Sequence, residues 1–194
     1  LDSRIESTYA QLSKSINKRP LYDNYIRAFR WASDRIKDEG VIGFVTNAGW
    51  IDRVATDGFR QSLEREFTNI YVFHLRGNQR TSGEKSRQEG GKVFGSGSRT
   101  PIAITLLVKR KDYVGKGKIF FHDIGDYLSR ETKLAKIEKF KSIGNMLDED
   151  RFEILNPDEN NDWVNQSNKE FDNYFLICDR NKFNGETIFS SYSI

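Results

Sequence analysis

Apolar residues along the chain recur with two different periods, and the order of those periods outlines a fold. Ile5, Tyr9, Leu12 and Ile16 fall at helical spacing with Ser and Lys between them, which predicts a short amphipathic helix broken by Asn17 to Pro20. LYDNYIRAFRWASDRIKDEG then places Tyr22, Tyr25, Ile26, Phe29, Ala32 and Ile36 on one face and Arg27, Arg30, Asp34 and Lys37 mostly on the other, a helix for which Gly40 is the expected stop. VIGFVT is a branched apolar run of strand length, and its continuity predicts burial on both faces, the habit of parallel sheets. A further amphipathic helix, Thr56 to Phe67, carries Phe59, Leu63 and Phe67 at i, i+4 and i+8, and a second strand, IYVFHL, starts at Ile70.

Strands alternating with helices of this size predict a doubly wound α/β sheet. The third strand, PIAITLLVKR, is reached through a long polar loop with no crossover helix, so it is expected to pair antiparallel with the second. KIFFHDI predicts another strand. SRETKLAKIEKF predicts a charged helix capped by Ser129, with Thr132 leaving the capping box incomplete. From Asn145 onward the chain reads as polar and irregular, with Trp163, Phe171, Tyr174 and Phe175 scattered through it.

Composition narrows the class. With 194 residues, 37% hydrophobic and 30% charged, the chain is long enough for one domain, or one and a small appendage. No apolar run approaches the roughly 18 residues of a membrane helix and no signal peptide opens the chain, so a cytoplasmic location is expected. The sequence starts at Leu1 without a methionine and is read as a piece of something longer. One cysteine, Cys178, in the apolar context FLICD reads as a buried thiol, and with His74 and His122 it is too little for a metal site. His74, inside a strand, reads as a core or edge histidine rather than a ligand. No nucleophile elbow, Walker loop, zinc-protease motif or dinucleotide fingerprint is present, and GSGS at Gly95 to Ser98 precedes a strand, the wrong context for one. Asp23 and Asp52 have no visible catalytic partner.

The loop between the second and third strands is the chemically distinctive stretch. It contains Gly77, Gly83, Gly90, Gly91, Gly95 and Gly97, and it sets Arg76, Arg80, Lys85, Arg87, Lys92 and Arg99 against only Glu84 and Glu89. A net charge of +3 is modest, so affinity for a polyanion must come from this local concentration. Two readings are open: a solvated flexible linker, or a DNA-contacting loop. Its lone aromatic, Phe94, either stacks on a base or caps the following strand as a core residue.

The order of these segments resembles the second half of a gamma-class N6-adenine DNA methyltransferase. LYDNYIRAFRWA is similar to that family's fifth motif, GVIGFVTNAGWI to its sixth, FRQSLEREF to its seventh and GKVFGSGSRTPIAITLLVK to its eighth. With SINKRPLYDNYIRAFRWA and FHDIGDYLSRETKLAKI included, the chain looks most like the methyltransferase part of large single-chain, Type ISP-like bacterial restriction-modification enzymes, whose full chains also carry a nuclease and a helicase-type ATPase.

The resemblance implies a Rossmann-like α/β sheet, parallel strands plus one antiparallel, followed by an irregular α+β tail. Residues 1–125 would be the C-terminal half of the catalytic domain and 126–194 the connection toward a target-recognition domain. It implies S-adenosylmethionine as cofactor, with Asn24, Tyr25 and Phe29 lining its pocket; duplex DNA as partner, with Arg80, Lys85, Arg87, Lys92 and Arg99 on its phosphates; and Phe94 against a flipped adenine. Tyr25 and Phe29, at i and i+4 on the apolar face of their helix, read at least equally as core residues. Asn47 and Trp50 follow the strand end where such sheets bind ligands, and Trp50 reads equally as a buried cover. The Asn-Pro-Pro-aromatic acceptor of the target amino group and the glycine-rich cofactor loop do not occur in this sequence, so the fragment by itself is expected to be inactive. The resemblance also implies an incomplete sheet whose open edge invites self-association. The alternative is a non-catalytic module that clamps DNA through the basic loop. Either way, the stretch around Gly77 to Ser98 is expected to be poorly ordered without DNA.

Overall fold

The first helix is shorter than its apolar pattern. In the computed structural model, which describes residues 1–94 and 98–166, α1 spans Asp2–Ile5, runs on as a π turn over Glu6–Ala10, and stops near Leu12. Asp57 ends it by accepting hydrogen bonds from the Ser13 hydroxyl at 2.5 Å and the Lys14 amide at 2.6 Å. Ile16 therefore lies outside the helix and fully exposed. The second helix, α2, covers Asn24–Ser33 and also stops early. Asp34 turns the chain while its carboxylate pairs with Arg4 at 2.7 Å and Arg30 at 2.8 Å. Ile36 reaches the core from the turn, which is why the helical period extends past the helix, and Gly40 opens the next strand instead of closing this helix.

One sheet collects the strands: β1 Gly40–Asn47, β2 Asn69–Arg76, β3 Ile102–Lys109, β4 Lys118–Asp123 and β5 Glu153–Leu155, in the spatial order β1-β3-β2-β4-β5. β3 is antiparallel to both β1 and β2, β4 is parallel to β2, and β5 is antiparallel to β4. The architecture is a mixed, Rossmann-like α/β sheet, and the antiparallel return from β2 to β3 is as the missing crossover helix requires. β1 departs from expectation. It is an edge strand among the described residues, with Val41 60% and Val45 53% exposed, not a strand covered on both faces. A continuous apolar run shows that both faces are apolar, and it leaves open whether both are covered.

Alternation along the strands divides the core into two layers. Ile42, Ile70, Val72, Ala103 and Leu107 face α1, α2 and α3 (Asp57–Glu66), where Tyr9, Phe29, Trp50, Phe59 and Trp163 form an edge-to-face aromatic cluster. Tyr71, Phe73, Leu75 and Ile102 face the opposite way, into a second layer with Met146 and Phe152. The predicted Ser129 cap is present, its hydroxyl accepting from the Thr132 amide at 3.2 Å at the start of a helix over Arg130–Phe140.

The stretch after Asn145 is not irregular throughout. A helix over Ile143–Asp148 precedes β5, and Trp163 is buried with its indole N–H donating to Glu64 at 2.9 Å. Segments of three to six residues are too short to display a period. Phe171, Tyr174, Phe175 and Cys178 lie outside the described residues. Among the described residues no helix is long and apolar enough to cross a membrane. The described elements belong to one compact unit, Leu1–Val164.

Candidate nucleic-acid interface

β1, β2 and β4 all run in one direction, because β1 and β2 are each antiparallel to β3 and β4 is parallel to β2. Asn47, Arg76 and Asp123 therefore end their strands at a common edge, and β3 begins there at Ile102. Open α/β sheets bind ligands at this carboxyl edge. The glycine-rich loop leaves and returns on the same side.

Arg76 anchors the start of the loop. A β-bulge between His74 and Arg76 and a left-handed φ of 54° at Arg76 turn the chain out of the sheet. Arg76 Nε donates to Asp123 Oδ1 at 2.6 Å and its guanidinium also pairs with Asp126. His74 Nδ1 lies 3.3 Å from Asp123 Oδ2, and the Gly125 amide donates to Asp123 Oδ1 at 2.8 Å. Burial alone would raise the Asp123 carboxyl, but the bonds from His74, Arg76 and Gly125 outweigh it and hold the group well below the usual carboxylate range.

Among its described residues the loop carries structure of its own. It contains α4, Gly83–Glu89, and folds back on the connection between β4 and the helix Arg130–Phe140, here α5. The Gly77 amide donates to the Glu89 carbonyl at 3.1 Å, the Tyr127 amide to Gln88 at 3.0 Å and the Gly91 amide to Leu128 at 2.9 Å. Lys133, fully buried on α5, donates to the carbonyls of Glu89 and Gly91 at 2.8 Å each, and Arg130 Nε donates to Val93 O at 2.9 Å. Burial lowers the Lys133 ammonium below its ordinary value. Residues 95–97 lie outside the described ones.

These contacts bear on one of the two readings of Phe94, the core cap. Val93 is the residue that enters the core, 4% exposed beside Ile102 and Leu75, whereas Phe94 is 48% exposed. Phe94 therefore does not cap the following strand. Arg80, Lys85, Arg87 and Arg99 are exposed and Lys92 half-buried on the same loop. Arg87 shares its charge with Glu84 at 3.1 Å, and Arg99 donates to the Gln79 carbonyl at 3.1 Å.

The α2 residues divide. Asn24 is exposed at the first turn of α2. Tyr25 is half-buried beside Arg53, Asp23 and Asp52, its hydroxyl buried without a partner, and burial pushes that hydroxyl up to about 12. Phe29 is fully buried against Phe44, Trp50 and Phe59, so it is a core residue and offers no surface to a cofactor. Trp50 is likewise fully buried, its indole N–H unpartnered, and Asn47 uses its side chain to accept from the Gly49 amide at 2.8 Å.

Arg60, fully buried on α3, fixes the loop after β1. It donates to the carbonyls of Trp50 at 3.0 Å, Arg53 at 2.8 Å and Asn161 at 2.7 Å, and pairs with Asp162 at 2.5 Å. Burial pushes the Arg60 guanidinium down and the Asp162 carboxyl up, so desolvation outweighs their mutual attraction. Sequence reasoning did not single out Lys133 or Arg60. Lys133 had a signal, since it continues the half-buried apolar stripe of Ile137 and Phe140 at i, i+4 and i+7.

No family model and no curated protein matches the chain. Solved structures do. The first of them is a nuclease-deletion mutant of the Type ISP restriction-modification enzyme LlaGI in complex with a DNA substrate mimic, 47% identical over 98% of this chain with a TM-score of 0.86. This chain is similar to a segment of the Type ISP restriction-modification enzymes. The ATP-dependent Type ISP enzyme LlaBIII bound to DNA is 39% identical over 95% of the chain with a TM-score of 0.86, and a DrdV–DNA complex is 34% identical over 93% with a TM-score of 0.80. The chain spans 15%, 12% and 17% of those three chains.

Proposed function

We propose that this chain is the DNA-side half of an adenine-N6 methyltransferase domain within a Type ISP-like restriction-modification enzyme. The observation that carries the reading is Phe94, exposed on a cationic loop whose preceding residue is locked into the core at the carboxyl edge of the sheet. An aromatic ring so placed can stack on a base extruded from the duplex, while Arg80, Lys85, Arg87, Lys92 and Arg99 hold phosphates.

Asn24 and the unpartnered Tyr25 hydroxyl fit one wall of a pocket for S-adenosylmethionine. When bound, that cofactor supplies the methyl group. The remaining walls and the acceptors for the target amino group belong to other parts of the parent polypeptide, and the open edge of β1, with Val41 and Val45 exposed, is suited to pair with one of its strands. In isolation the same edge can recruit a second copy. Nuclease, ATPase and target-recognition functions are likewise assigned to the rest of the parent chain.

The test is Phe94→Ala in the parent polypeptide. Losing a base stack costs about 1–3 kcal/mol, so methyl transfer to duplex DNA should fall about fivefold or more. Unchanged transfer would overturn the role.

A further inference from the structure

We propose that Lys133 on α5, beyond the segments similar to the fifth to eighth motifs, is the positioning residue that sets Phe94 for its base contact. This rests on the reading of Phe94 above. The backbone of residues 89–93 is held on two sides: the Gly77 amide and the Gln79 side-chain amide donate to the Glu89 and Gly90 carbonyls at 3.1 Å each, and the turn and first helical turn at residues 128–133 supply the other contacts. Lys133 holds the Glu89 and Gly91 carbonyls, Leu128 accepts from the Gly91 amide, and Arg130 holds the Val93 carbonyl. Phe94 is the next residue along.

Steric fit adds to the hydrogen bonds. Gly90 has a left-handed φ of 67°, and a Cβ there would clash with the Leu128 carbonyl. A Cβ on Gly91 would lie 2.7 Å from the Arg130 amide nitrogen. The loop backbone therefore docks on α5 at the closest approach that glycine allows. A buried ammonium without acceptors is costly, so Lys133 favours the docked loop over any arrangement in which the two carbonyls are withdrawn. The device needs no contact between Lys133 and DNA.

The experiment uses the full parent polypeptide, Phe94→Ala and three further variants. Lys133→Met removes both bonds at similar volume. Gly91→Ala keeps the lysine and displaces the loop. Lys136→Met is the control, since Lys136 on the same helix donates to Ile124 O at 3.1 Å, away from the loop. Two readouts separate docking from function. The first is hydrogen exchange of the Gly77 and Gly91 amides without DNA, which should speed up roughly tenfold or more in Lys133→Met and Gly91→Ala and hold in Lys136→Met. The second is fluorescence of 2-aminopurine at the target base together with methyl-transfer kinetics. In Lys133→Met and Gly91→Ala the flipped-base signal and kcat should fall while KM for S-adenosylmethionine holds.

Unchanged exchange in Gly91→Ala and Lys133→Met, with circular dichroism native, overturns the docking. Faster exchange with an undiminished base signal overturns the positioning role. Should Lys133→Met fail to fold, Gly91→Ala decides both points. An undiminished signal in Phe94→Ala sinks the base-contact reading itself, and the positioning role with it, while the exchange data still report on docking.

Discussion

Replacing Arg60 with methionine tests how the loop after β1 is held. The guanidinium is fully buried and serves Trp50 O, Arg53 O, Asn161 O, the Thr56 hydroxyl and Asp162. These losses are unequal. Thr56 Oγ1 also reaches Trp50 O at 2.9 Å and Arg53 O at 2.7 Å, so the hydroxyl can still donate to one of them after the substitution. The penalty therefore concentrates on Asn161 O and Asp162. Orphaning a buried carbonyl costs about 1–3 kcal/mol, and breaking a buried ion pair about 3–5 kcal/mol. The second figure must be reduced, because the Asp162 side chain is 19% exposed and can hydrate.

A destabilisation of about 3 kcal/mol results, a shift of about 1.5 M in the urea midpoint for a slope of about 2 kcal/mol per M. Trp50 and Trp163, with ring centroids 5.3 Å apart beside the site, supply the fluorescence signal. Burial disfavours both charges, so the double variant Arg60→Met/Asp162→Asn should be less destabilised than the two single losses summed. A midpoint shift below about 0.3 M for Arg60→Met would refute this account of the loop.

Two further outcomes concern the loop's two ends. The Asp123 carboxyl is held low in the folded chain, so its contribution to stability is complete above the unfolded value of about 3.9 and is lost as pH falls toward the folded value. Urea unfolding at stepped pH should therefore show stability declining below about pH 5, with a shallower decline in Asp123→Asn; identical slopes would remove Asp123 as the cause. Neutralising Arg80, Lys85, Arg87, Lys92 and Arg99 in the parent polypeptide should weaken duplex binding across all sequences and reduce the salt dependence by about one unit of slope for each phosphate that is no longer neutralised. An unaltered slope in a fluorescence-anisotropy titration would mean that these side chains do not face phosphate.

What could be read from the sequence depended on segment length and on whether a residue's partners were near it in the chain. α3 and β2 are long enough to show their period, and Phe59, Leu63 and Ile70 are buried as predicted. The antiparallel return to β3 followed from a missing crossover helix. α4 and β5 are too short to stand out from polar sequence, and the ends of α1 and α2 are set by Asp57, which binds Ser13 and Lys14, and by Asp34, which binds Arg4 as well as the nearby Arg30, so each has a partner distant in the chain. Phe94 was visible as a lone aromatic among glycines and cations, but its exposure depends on Val93 taking the core position. The clamp from α5 joins residues 89 to 93 with 128 to 133, an association that periodicity does not reveal. For Phe29 the sequence left both readings open, because the pattern of a pocket-lining aromatic and that of a core aromatic are the same on a helix, and its burial selects the core.

The most direct measurement incubates the parent polypeptide with S-adenosylmethionine labelled in its methyl group and duplex DNA carrying its recognition sequence, then separates the nucleosides. Label in N6-methyladenine, reduced about fivefold or more by Phe94→Ala, is the predicted result. Label confined to cytosine, or none in DNA while the protein is folded and binds duplex, would contradict the assignment.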